Sequence, residues 1–94
     1  MELDKFRQSL QNSQPGPGQN VYLQALWYDG KGDWEKSHKL IQDLPDNSSA
    51  RIHAYLHRKE GDQGNALYWY RRAGVSPFKG SLDEEWGQLV EELG

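Results

Sequence analysis

The chain contains no cysteine, which excludes disulfides and every thiolate-ligated metal site. It has a single methionine and no apolar run near the roughly 18–20 residues that a membrane span needs. The opening "MELDKFRQSLQ" lacks the basic start and long apolar region of a signal peptide, so a cytoplasmic location and no membrane are expected. No segment alternates strictly between apolar and polar residues, so no half-buried strand is expected. No Gly-rich stretch has phosphate-loop spacing and no serine sits in a nucleophile elbow. No cofactor is therefore called for. A net charge of −3 argues against a general nucleic-acid binder.

The chain is rich in aromatics, with four Trp, five Tyr and two Phe among 94 residues. A chain of this length forms one domain and buries roughly 60–65% of its unfolded surface. Aromatic side chains, at about 150–250 Å² each, supply much of that burial. Charge is uneven along the chain. Residues 51–72 carry Arg51, Arg58, Lys59, Arg71 and Arg72 against Glu60 and Asp62. Residues 73–94 carry Lys79 against Asp83, Glu84, Glu85, Glu91 and Glu92. These are either solvated helix faces or a basic centre that attracts an anionic partner, with an acidic end able to shield it.

Six helices are expected. Leu3, Phe6 and Leu10 mark a short helix over 3–11. "NSQPGPGQN" (12–20) reads as a linker, so this helix is expected to dock loosely or move. Val21 to Asp29 and Trp34 to Leu44 follow, divided by "DGKGD" and stopped by Pro45. "DNSS" offers caps for a helix starting at Ser48 or Ser49 and running to Lys59. Gly61 ends that helix, and Asp62 caps another over Gln63 to Ala73. "SLDE" is a capping box for a terminal helix, Leu82 to Leu93, within a capping segment 81–94. That last helix carries Leu82, Trp86, Leu89, Val90 and Leu93 on one stripe.

Sliding the chain by 29 residues lays "ALWYDGKGDWEKSHKLI" on "AYLHRKEGDQGNALYWY". Ala25 meets Ala54, Gly32 meets Gly61, Asp33 meets Asp62, Ser37 meets Ala66 and Ile41 meets Tyr70. Each half reads as two helices joined by a Gly-Asp turn, with small residues where the helices cross. Such a hairpin cannot bury its own apolar face and must stack.

Over residues 18–78 this pattern resembles the tetratricopeptide family of helical-hairpin repeats and, more loosely, its Sel1-like relatives. Ala54, Gly61, Asp62, Ala66, Tyr70 and Ala73 carry the likeness in the second hairpin. Ala25, Tyr28, Gly32, Asp33, Trp34 and the small Ser37 carry it in the first. The offset of 29 is shorter than the family's usual 34 or so, and only two hairpins are visible. The resemblance implies an all-α fold of two stacked antiparallel hairpins flanked by capping helices. It also implies a concave face that binds peptide. The groove positions carry over to Tyr22, Leu26 and Asp29 in the first hairpin, and to Arg51, Tyr55, Arg58 and Lys59 in the second. A groove of that chemistry suits an acidic peptide or a carboxylate. The reading is a protein-binding module without enzymatic activity, able also to self-associate as a homodimer.

Three histidines supply the alternative. His53 and His57 are four apart, a spacing that lets two imidazoles share a metal ion. Where hairpins stack, His38 can approach them, and three histidines with an open position make a catalytic-zinc arrangement. The alternative is a small metal- or histidine-dependent enzyme using His38, His53 and His57. Against it, the chain has no His-Glu motif and no general base at fixed spacing, and the same residues suit a hydrogen-bonded helix interface. "YWYRR" (68–72) mixes aromatics and bases as single-strand binders do, but at helical spacing Tyr70 turns inward and Trp69 toward a neighbouring helix.

Overall fold

Every helix start but the first in the computed structural model, which describes residues 1–94, is closed by a side chain. The elements are α1 (Leu3–Ser9), α2 (Val21–Gly30), α3 (Trp34–Ile41), α4 (Asn47–Lys59), α5 (Gln63–Ala73) and α6 (Leu82–Leu93). Asn20, Asp33, Asp46, Asp62 and Ser81 each accept a bond from the backbone N–H three residues on. Caps of this kind stabilise a helix by about 1 kcal/mol each. The box at α6 is complete: Glu84 N–H donates to Ser81 Oγ (3.0 Å) and Ser81 N–H to Glu84 Oε1 (2.8 Å).

Two boundaries differ from expectation. α3 ends at Ile41, before the Leu44 that Pro45 allows. α4 starts at Asn47, because Asp46 rather than a serine is its cap. Asp46 Oδ2 accepts both Ser49 N–H (3.0 Å) and Tyr22 O–H (2.6 Å), which ties the start of α4 to α2.

The 29-residue repeat reappears in the hydrogen bonding of two turns. Gly32 and Gly61 share a φ of 88°, a left-handed value that glycine adopts without strain. Asp33 N–H donates to Tyr28 O and Asp62 N–H to His57 O, each at 2.9 Å. The Asp33 and Asp62 carboxylates then cap the next helix at matching positions. The matched small residues Ala25, Ala54, Ser37 and Ala66 are all wholly buried. α2 packs on α3 and α4 on α5 across these turns, while α3 and α4 join the two pairs.

α6 crosses α1, α2 and α4. Its Trp86, Leu89 and Val90 enter the main core with Phe6, Leu26, Trp27, Ile41, Ile52 and Leu56. Trp86 Nε1–H donates to the carbonyl of Leu26 (2.9 Å). α1, for which loose docking was expected, buries Phe6 completely against Trp86. Arg7 adds two bonds to Asp83, and Trp27 Nε1–H donates to Ser9 O. The radius of gyration is 12.2 Å, matching the value of about 12 Å for a close-packed chain of this length.

Candidate functional site

Two groups of side chains stand out, one on each face of α4. The first lies where α2, α4 and α6 meet. The seven expected groove residues sit on α2 and α4, and each is buried or bonded within the chain. Tyr22 is bound to Asp46. Leu26 is wholly buried core. Arg51 pairs with Glu92 of α6 at 3.1 Å. Arg58 pairs with Glu85 of α6 at 2.9 Å and also donates to the carbonyl of Gly80.

Two buried carboxylates are held here in the same way. Asp29 accepts Tyr55 O–H (2.6 Å) and Lys59 Nζ–H (2.9 Å). Glu85 accepts Tyr70 O–H (2.6 Å) and Arg58 Nη1–H (2.9 Å). Each is nearly sealed from water, at 2% and 3% exposure. A carboxylate so buried requires both partners, since an unpaired buried charge costs several kcal/mol, on the order of 3–5. Burial raises the Tyr55 phenol, with the charge of Asp29 next, and burial raises the Tyr70 phenol, with its bond to Glu85 next. Both tyrosines therefore act as fixed donors at any physiological pH. Beside Asp29 a cavity of about 280 Å³ remains open, lined by Arg7, Leu10, Gly30, Tyr55, Lys59, Leu82, Asp83 and Trp86. That is just under the roughly 300–1,000 Å³ of a small-molecule site, and too small for a peptide.

Glu85 and Glu92 were not singled out from sequence as site residues. The signal was present for Glu85, which lies three residues after Leu82 and four before Leu89 on the apolar stripe. A carboxylate at such a position demands a buried cation.

The second group is the histidine cluster, on the face of α4 turned to α3 and α5. His38 of α3 comes to His53 of α4, Nε2 to Nε2, at 3.0 Å. At that distance one ring donates and the other accepts. His57, one turn further on, stacks against His53 with centroids 4.8 Å apart, and its Nδ1 lies 2.5 Å from Glu60 Oε1. Two tryptophans clamp the rings. Trp34 lies flat on His38 (4.8 Å, 9°) and Trp69 flat on His53 (3.8 Å, 14°). Trp34 is itself anchored by a bond from Nε1–H to Leu56 O (2.8 Å).

Burial, followed by the charges of His38 and His57, lowers the His53 pKa to about 4. Burial also lowers His38, with the charge of His57 next. The pair is thus neutral at pH 7. One candidate ligand nitrogen from each of the three rings lies within 4.8 Å of the others, as do groups of His57, Glu60 and Asp62. Trp34, Trp69 and Glu60 were not marked as parts of this cluster from sequence. Only a helix crossing brings Trp69 to it, whereas Trp34 lies one turn before His38 on α3 and Glu60 three residues after His57.

Comparison with family models, with curated proteins and with solved structures found no match for this chain. No helix is long and apolar enough to cross a membrane.

Proposed function

We propose that this chain is a non-enzymatic protein-binding domain whose α2–α4 face recognises an acidic amphipathic segment, either an internal helix or an acidic chain end. The supporting observation is the chemistry of what fills that face. α6 is an acidic amphipathic helix, and it lies against α4 through Arg51–Glu92 and Arg58–Glu85 around an apolar seam of Trp86, Leu89 and Val90. Its own helix thus displays the features a ligand needs: carboxylates spaced one to two turns apart, with large apolar groups between them. A tetratricopeptide-like stacking of the two helix pairs belongs to the same reading, and the recurrence of the Gly-Asp turns supports it.

A partner must displace α6 or bind beside it. Tethered to the domain, α6 competes at an effective concentration on the order of millimolar. A second copy of the chain offers the same helix, so exchange of α6 between copies is the route to a homodimer.

The test is fluorescence anisotropy of a labelled peptide with the sequence of residues 80–94, titrated with the full chain. Sequence-dependent binding is expected, absent for a scrambled peptide of the same composition. A peptide carrying Glu92→Gln, which leaves the chain's own α6 unaltered, binds about 2- to 5-fold more weakly, the worth of a partly exposed ion pair of up to about 1 kcal/mol. Equal binding of the scrambled peptide, or none of either at millimolar concentration, would reject the reading.

A further inference from the structure

We propose that His38, His53 and His57 form a binding site for one divalent transition-metal ion of the zinc type. The donors are already gathered. The Nε2 atoms of His38 and His53 are 3.0 Å apart. Each of the three rings offers a nitrogen within 4.8 Å of the other two. Tetrahedral zinc, with bonds of about 2.0–2.1 Å to nitrogen, sets its ligand nitrogens about 3.3 Å apart. Opening one contact slightly and drawing in the other two by up to about 1.5 Å reaches that geometry. His57, whose side chain is 12% exposed, leaves the cluster reachable from solvent.

The surroundings suit a metal ion as well as the distances do. A metal-ligating histidine characteristically gives its second ring N–H to a carboxylate, which sets the tautomer and raises the basicity of the ligating nitrogen. Glu60 holds Nδ1 of His57 in this way, leaving Nε2 with a lone pair. The flat stacks on Trp34 and Trp69 occupy the faces of His38 and His53. Only the ring edges, which carry the nitrogens, are then free to meet. His57 lies in the last turn of α4, where the helix dipole and Glu60 favour added positive charge.

Without an ion the His38–His53 contact depends on one shared proton. With an ion both nitrogens donate lone pairs to the same acceptor. An all-imidazole set selects zinc, copper or nickel over calcium or magnesium. It leaves one tetrahedral position for water. The site holds α3 to α4, so its occupancy stiffens the joint between the two helix pairs and needs no reaction at the metal.

The test is calorimetric titration of chelator-stripped chain with zinc chloride, alongside ¹⁵N histidine NMR of the same sample. One zinc per chain is expected, with all three imidazoles shifting together and thermal stability rising. Glu60→Gln should weaken zinc binding by about 10- to 100-fold. His57→Gln, checked for its helical spectrum, should weaken it at least as much. Three results would each overturn the proposal: no binding tighter than about 1 mM, unchanged affinity in both variants, or NMR shifts confined to a single ring. The NMR result is read on the unaltered chain, so it stands even if a variant fails to fold.

Discussion

Ser37 sits wholly buried in α3, and its hydroxyl has no hydrogen-bond partner. The position equivalent to it across the 29-residue offset is Ala66, equally buried. An unmatched buried hydroxyl costs about 1–3 kcal/mol, whereas the methyl of alanine fills nearly the same space at no such cost. Ser37→Ala is therefore expected to raise the thermal midpoint, by about 4–8 °C for each kcal/mol recovered in a domain of this size. A lowered midpoint would show that the hydroxyl is satisfied in solution.

The histidines carry a pH dependence with a definite sign. In the unfolded chain His38 and His53 titrate near 6.5. In the folded chain burial holds His53 near 4 and lowers His38. Around His38, the charge of His57 lowers its pKa further, while Glu60 and Asp43 pull it up. His38 and His57 are the charges that act on His53. Between pH 6.5 and 4 the unfolded chain binds protons that the folded chain refuses, so the stabilisation present above 6.5 is lost as pH falls. Urea midpoints measured with chelator present should drop between pH 7 and pH 5. His53→Gln should flatten that slope, whatever its effect on absolute stability.

Among the helices, the turns are the parts that local sequence dictates most firmly. Gly61 has a φ of 88° with nothing near its α-carbon hydrogens. A side chain there meets no obstacle in space, so the whole penalty is backbone strain. Gly61→Val should cost more than Asp62→Ala, because a β-branched residue fits a left-handed conformation poorly. Losing the Asp62 cap should cost about 0.5–2 kcal/mol. Denaturant midpoints of the two variants give the order directly, and the reverse order would mean that the cap rather than the glycine governs the turn. α6 is also specified locally by its capping box and stripe. Its first turn carries Asp83, Glu84 and Glu85, as the helix dipole favours. Its last turn has no basic residue, and there Glu92 finds its cation on α4.

Over the whole molecule, the uneven charge of the chain becomes an internal contact. The basic stretch around α4 and the acidic α6 lie against each other, and two ion pairs between them tie the last helix down. They differ in weight. Arg51–Glu92 is partly exposed and is worth at most about 1 kcal/mol. Arg58 faces a carboxylate sealed from water together with Tyr70, so Arg58 is a structural partner as much as a groove residue. Its removal strands a buried charge, which costs about 3–5 kcal/mol. Arg51 is accordingly the arginine to alter when recognition is to be separated from folding.

Much of the architecture was legible because it depends on neighbours along the chain. Six helices, the two Gly-Asp turns, the Ser81 box and the inward turn of Tyr70 follow from spacing and cap chemistry. Those effects act within three or four residues, where bonds have fixed geometry. The all-helical class followed from the same signals. The end of α3 and the start of α4 were less legible, since several caps compete in "DNSS" and Asp46 prevails with a second bond, from Tyr22 in another helix.

Side-chain roles divided in the same way. The sequence located the basic residues of α4 without what faces them, and for the three histidines it anticipated the approach of His38 to His53. Whether α6 lies against α4 and whether Glu85 is buried depend on how helices distant in the chain cross. Packing of apolar faces decides those crossings. A stripe on each helix says which side is buried but not which partner buries it, and only the tertiary structure makes that choice.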